Sequence, residues 1–243
     1  MKTEKIAYSI QGAAYEGVLA YDETKAASAP LLLMAPNWLG ITSAAIDVAQ
    51  DFAQRGYVVF LADMYGAGKG PKGDEVPMEF LAPLLSQPEE TRARINVAFD
   101  TMTAAAKARG IGDASRRAAM GYCFGGANVI DLARSGADVA AVVSMHGSLQ
   151  TSAPAKPGEV KAAVLAIHGA DDPIAPKKER DQLEEEMRQA GARWAIFCVG
   201  NVYHSFTDPQ ANQPPFVAYS ESTTRYGYAL AQMFIADAFA DKI

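Results

Sequence analysis

The stretch Met120-Gly121-Tyr122-Cys123-Phe124-Gly125-Gly126-Ala127 most limits how this 243-residue chain can fold. An apolar run, Ala118 to Met120, leads into it as a buried strand, and Asn128 to Arg134 leads out as the start of a helix. Strand, sharp turn and helix around G-x-C-x-G form the setting of a nucleophile elbow, with cysteine where serine is usual. The spacing has a steric reason: the nucleophile occupies a strained turn, and Gly121 and Gly125 keep bulk away from it. Backbone N–H groups at the helix start point at the same spot, where they lower a thiol pKa and stabilise an oxyanion.

Two plainer readings compete. A lone cysteine is often a small buried apolar residue, and a Gly-rich strand-to-helix turn can cradle a phosphate. The elbow therefore needs a base and an orienting acid from elsewhere in the chain.

With 49% hydrophobic residues, the chain can fill one large core, and residues 1–243 read as a single α/β domain. A formal net charge of −6, with no Lys/Arg block, argues against nucleic acid and anionic membrane surfaces as partners. A small molecule is the expected partner, with the protein a monomer or homodimer. The start, Met1-Lys2-Thr3-Glu4-Lys5, has no apolar signal segment, and the only cysteines are Cys123 and Cys198. The expectation is a reducing, cytoplasmic setting without a disulfide. Cys198 falls within a strand reading and is expected in the core.

Along the chain, Lys5 to Ile10 and Ala14 to Ala20 read as an edge hairpin around Gln11-Gly12-Ala13. Pro30 to Pro36 is continuously apolar, as expected of a strand covered on both faces. Next comes a helix from Ser43, capped by Thr42 or Ser43 and stopped at Arg55-Gly56, and Tyr57 to Leu61 is the next buried strand. Between Asp63 and Pro88, repeated Gly and Pro predict a long connection with a short helix around Met78 to Leu85. Later elements are a helix over Thr91–Arg109, strands at Val139–Ser144 and Ala162–Ile167, a helix over Lys177–Ala190, a strand at Trp194–Val199 and a helix over Ser220–Phe239. Such alternation predicts a mainly parallel central sheet with helices on both faces.

Functional residues of such a sheet belong at the carboxyl ends of its strands. Cys123 is one such place; His168-Gly169-Ala170-Asp171-Asp172-Pro173 is the second, and Tyr203-His204-Ser205-Phe206 the third. Nucleophile, acid, base is the chain order of an α/β-hydrolase triad. Asp172 is preferred to Asp171, which reads as a solvated or turn-capping neighbour. For the base, His146 precedes the acid and breaks the order, and His168 reads as a core histidine, which leaves His204.

These residues resemble the dienelactone hydrolase family of α/β-hydrolases over most of the chain. The resemblance rests on Gly121-Tyr122-Cys123-Phe124-Gly125-Gly126, on Ala62-Asp63-Met64-Tyr65, on Gly169 to Asp172 and on Tyr203-His204-Ser205-Phe206. It implies an α/β-hydrolase fold, a Cys123/Asp172/His204 triad, no metal and no organic cofactor. There are two departures. Where family members often carry a glutamate that interacts with the resting thiol, this chain has Asn37, which cannot take a proton from Cys123. Where they place an arginine after the histidine to hold a substrate carboxylate, it reads Ser205-Phe206-Thr207-Asp208, and an aspartate repels a carboxylate. Arg92 and Arg94 are the cations available to substitute.

These residues together predict hydrolysis of a small neutral ester or lactone through a thioester. Phe124 and Trp38 are assigned as oxyanion donors, and Asn37, Trp38, Tyr65, Tyr122 and Phe206 as substrate-binding residues. Promiscuous attack on activated esters, phosphotriesters included, is an alternative from the same constellation. A redox-active thiol protein or a non-catalytic binding module on this fold are alternatives of other classes.

Overall fold

The computed structural model describes residues 1–243. Alternation in the first twenty residues gives two nine-residue strands, β1 (Lys2–Ile10) and β2 (Ala13–Tyr21), paired antiparallel with Ile10 opposite Ala13. The uninterrupted apolar run gives β3 (Pro30–Ala35), in which Leu31, Leu32 and Leu33 are all fully buried. Helix α1 (Ser43–Gln54) starts where Thr42 Oγ1 accepts the N–H of Ala45 at 3.1 Å, a side-chain cap that satisfies one of the helix's orphan donors. It leads to β4 (Val58–Leu61), parallel to β3 and antiparallel to β2. The Gly- and Pro-rich connection holds one short helix, α2 (Pro77–Leu85), and α3 (Pro88–Arg109) ends on Gly110 in the left-handed conformation.

After β5 (Asp113–Tyr122) strands and helices run α4 (Phe124–Arg134), β6 (Ala141–Met145), β7 (Ala163–Gly169), α5 (Lys177–Ala190) and β8 (Arg193–Val199). A small hairpin, β9 (Asn212–Gln213) and β10 (Val217–Ala218), precedes α6 (Glu221–Phe239), whose start is capped by Ser220. The main sheet has eight strands in the order β1-β2-β4-β3-β5-β6-β7-β8. The pairs β6–β7 and β7–β8 are parallel.

The backbone forms two compact units, Met1–Ala119 and Met120–Ile243, with the boundary inside β5. In the first, α1 packs on β2 and β4, and α3 on β1, β3 and β4. In the second, α4 packs on β6, α6 on β6 and β7, and α5 on β8. Every residue of β6 and β7 is buried irrespective of parity, which requires cover on both faces of those strands. No helix is long and apolar enough to cross a membrane.

One expectation is corrected. Cys198 is exposed and not a core residue. It lies on β8, the last strand of the sheet, where both Arg193 and Cys198 are open to solvent.

Candidate active site

All three triad candidates lie in the second unit, and the fold brings them together. At the end of β5 the chain turns sharply: Cys123 has φ 51° and ψ −117°, a region costly for any residue with a side chain. The turn is fixed from both sides. The Cys123 N–H donates to Met145 O at 3.0 Å, and its carbonyl accepts the N–H of Ala127 at 3.1 Å as α4 begins. Gly121 is needed here because a Cβ at that position would run into the carbonyl group of Gly125. The thiol therefore stands at the N-terminus of an eleven-residue helix, where the partial positive charge of the helix end is concentrated.

Asp172 lies beyond the end of β7 in a turn of its own making. Its Oδ1 accepts the N–H groups of Ile174 at 2.8 Å and Ala175 at 3.0 Å, which leaves Oδ2 for His204. Gly169 allows this turn to meet the histidine loop, since a Cβ there would collide with the main chain of Val202. Across that contact Ala170 N–H donates to Val199 O at 2.8 Å and Asp171 N–H to Val202 O at 3.1 Å. Asp171 is exposed, as its reading as a solvated neighbour anticipates.

His204 connects the two. Its Nδ1 lies 2.8 Å from Asp172 Oδ2 and its Nε2 3.1 Å from Cys123 Sγ. His204 and Asp172 are buried, at 1% and 2% exposure, while Cys123 is half-buried, so the chain of contacts ends where a substrate can reach. Burial by itself lowers the His204 pKa, but the hydrogen bond to Asp172 and the charge and hydrogen bond of Cys123 outweigh it and raise it to about 9. Burial raises the Asp172 pKa, yet hydrogen bonds from His204, Ala175 and Ile174 hold it below the ordinary carboxylate value. The two shifts agree in sign, as expected where a carboxylate and an imidazole share a hydrogen bond.

Of the other residues singled out in sequence, Tyr122, Phe124 and Phe206 belong to the same unit. Tyr122 and Phe124 flank Cys123 and are largely buried; Phe206 is completely buried, with its ring edge-on to His146 at 4.9 Å. Asn37, Trp38 and Tyr65 are gathered in the first unit. Asn37 Oδ1 accepts the N–H of Leu39 at 3.0 Å, and Tyr65 OH donates to Trp38 O at 2.6 Å; Trp38 itself is 36% exposed. Arg94 is committed to Met64 O and Glu90 and lies over the ring of Tyr15, so its guanidinium is a structural group.

Of the three histidines, His204 is the one hydrogen-bonded to Asp172. His168 is buried in β7, where desolvation is the main cause that lowers its pKa to about 4. His146 enters the sequence reading only as a competitor for the base. Its ring packs 5.0 Å from that of His204, a contact whose partners lie 58 positions apart and leave no local signal.

A cysteine at a strand-to-helix elbow, an aspartate and a histidine beyond two later strands and a largely parallel sheet are the layout of an α/β-hydrolase. Residues 16–238 match the dienelactone hydrolase family, and the chain belongs to it. Membership makes it an ester-hydrolysing enzyme. No curated protein matches the sequence. Among solved structures, the chain is similar to a dienelactone hydrolase-like promiscuous phosphotriesterase, P91, from metagenomic libraries, at 27% identity, TM-score 0.88 and 98% coverage of each chain. It is also similar to a protein named m3DLH, at 31% identity, TM-score 0.88 and 98% coverage of each chain. A putative dienelactone hydrolase from Klebsiella pneumoniae shares the fold, at 20% identity and TM-score 0.82 over 97% of this chain and 98% of that one.

Proposed function

We propose that the protein hydrolyses small neutral esters or lactones by two-step acyl transfer on Cys123. The observation that carries this reading is the continuous hydrogen-bonded line from Asp172 Oδ2 through His204 to Cys123 Sγ, at 2.8 and 3.1 Å. Free cysteine has a pKa of about 8.5, so it needs a proton acceptor to attack at neutral pH. His204 supplies one. The thiolate attacks the carbonyl carbon and forms a C–S bond, while the helix-start N–H of Phe124 donates to the oxyanion, a contribution of about 3 kcal/mol per donor. The tetrahedral intermediate collapses, the C–O bond breaks and imidazolium His204 delivers its Nε2 proton to the leaving oxygen. Neutral His204 then takes a proton from water, hydroxide adds to the thioester, and the C–S bond breaks to give the carboxylic acid and the thiolate. Enols and phenols are the leaving groups that suit this nucleophile, because a poorer one is expelled less readily than the thiolate itself.

The residues just after His204 favour a neutral substrate. Thr207 and Asp208 offer no cation, and Asp208 disfavours an incoming carboxylate. A thiol nucleophile of this kind would work in a reducing, cytoplasmic setting.

A second reading, hydrolysis of aryl dialkyl phosphates as a side activity, is favoured by the likeness to P91, which is described as a promiscuous phosphotriesterase. Phosphorus would be attacked by the same thiolate. Turnover of p-nitrophenyl acetate, p-nitrophenyl butyrate and an aryl dialkyl phosphate by wild type, Cys123→Ala and His204→Ala tests both readings. The carboxylic esters are expected to be turned over by wild type alone. Equal ester turnover in Cys123→Ala contradicts the first reading, and no Cys123-dependent phosphate release removes the second.

A further inference from the structure

The acyl-transfer scheme leaves without a task a buried, ionisable side chain whose ring packs on that of His204. His146 lies directly after β6 and is 2% exposed. Its backbone adopts φ 41°, and its N–H donates to Ile167 O at 2.9 Å. A positive φ is unusual for a histidine and persists only where the surroundings enforce it. Cys123 and Ser205, the neighbour of His204, share that property, so three of the six non-glycine residues with positive φ belong to this cluster.

The His146 ring meets the base and the loop beyond it at three points. It packs edge-to-face with His204 at 5.0 Å and with Phe206 at 4.9 Å between ring centroids, and its Nε2 is hydrogen-bonded to Thr207 Oγ1 at 2.7 Å. The ring of Tyr122, next to Cys123, lies 6.4 Å away. Asp172 fixes only one nitrogen of His204, and rotation about that bond alone would carry Nε2 away from Sγ. We propose that His146 is a positioning residue: with Thr207 it forms the wall that holds the His204 ring in the plane where Nδ1 meets Asp172 and Nε2 meets Cys123. This rests on the reading of Cys123 and His204 as nucleophile and base, and it adds a residue that does not itself touch substrate.

The electrostatics fit the assignment. Burial above all, and then charge on His204, holds the His146 pKa well below the ordinary histidine value, so it does not compete with His204 for the catalytic proton. The ionisable groups that face this cluster are His204, His168, Asp172 and Cys123, with Arg180 acting on His168.

The test uses Thr207→Val, Thr207→Ser, His146→Phe and the Thr207→Val/His146→Phe double variant, with Cys123→Ala alongside. Each is assayed for p-nitrophenyl acetate turnover, normalised to the Cys123 that reacts with iodoacetamide, and for the pH dependence of that alkylation. Thr207→Val is expected to lower kcat about tenfold with KM within about twofold, since misplaced catalytic groups lose rate and not ground-state binding. Its alkylation midpoint should move to higher pH, because a loosened imidazolium stabilises the thiolate less. Thr207→Ser should restore both, and the double variant should be no worse than the poorer single variant, as expected of two residues acting through one bond. A merely structural role would reduce the fraction of reactive Cys123 and leave kcat per reactive site unchanged. Wild-type kcat and alkylation profile in Thr207→Val would overturn the inference, whether or not His146→Phe folds. Turnover retained in Cys123→Ala overturns the parent reading and this one with it; an inactive Cys123→Ala beside an unaltered Thr207→Val sinks the role of His146 alone.

Discussion

Asp172 Oδ2 lies 2.8 Å from His204 Nδ1, while the other oxygen of the same carboxylate is held by two backbone N–H groups. The Asp172 carboxylate is thus anchored independently of its contact with His204. Asp172→Asn keeps the turn-forming oxygen but removes the negative charge and permits the wrong imidazole tautomer. The expected result is a fall in kcat of about 10³-fold for p-nitrophenyl acetate, with little loss of thermal stability. A fall of less than about threefold would separate Asp172 from catalysis.

The raised pKa of His204 predicts a basic limb in the activity profile. Delivery of a proton to the leaving oxygen needs imidazolium, which persists up to about pH 9. Turnover should therefore fall as pH rises through that value, as a property of the coupled Cys123–His204 pair. In Asp172→Asn the charged partner that helps raise the pKa is gone, and the limb should move to lower pH. Steady-state kcat/KM from about pH 6 to 10.5 checks this; a limb that stays in place in the variant contradicts the assigned cause.

Gly121 is tied to the elbow by contact with the Gly125 backbone. Gly121→Ala cannot be accommodated by moving a flexible side chain, so it should cost about 1–3 kcal/mol and displace Cys123 from His204. Thermal melting and iodoacetamide reactivity together test this. An unchanged melting temperature with unchanged thiol reactivity would mean that the turn is not so constrained.

His168 predicts how the fold responds to acid. It stays neutral in the fold down to about pH 4, whereas in the unfolded chain it takes a proton near pH 6.5. Its contribution is present above about pH 6.5 and is lost as pH falls through that window, to at most about 3 kcal/mol. Urea unfolding at about pH 7 and about pH 4.5 should show a larger loss for wild type than for His168→Leu. Equal losses would remove the histidine as the cause.

The parts of this molecule set by local chemistry are legible in its sequence. The elbow can be read because its glycines are required by contacts within a few residues, and α5 runs from Lys177 to Ala190 as its helical pattern and Gly191 imply. Only the apolar end of β5 is visible to pattern, since Ser115, Arg116 and Arg117 mask the polar, more exposed half of a ten-residue strand. The hairpin of β9 and β10 has two residues per strand, too few for any periodicity, and is tied to the site by the bridge between His204 and Val217. The exposure of Cys198 escapes a sequence reading because alternation does not say which strand ends a sheet. Cys123, Asp172 and His204 can be matched by chain order, whereas the contact of His146 with Thr207, across 61 positions, appears only once the chain is folded.

The central claim is that Cys123 carries the acyl group. Wild type, Cys123→Ala and His204→Ala are mixed with p-nitrophenyl butyrate, quenched in acid within the first turnovers and digested for peptide mass spectrometry. A butyryl adduct on the Cys123 peptide of wild type, absent from Cys123→Ala and strongly reduced in His204→Ala, is the predicted result. Ester turnover at the wild-type rate in Cys123→Ala, with no adduct on the Cys123 peptide of wild type, would contradict the account.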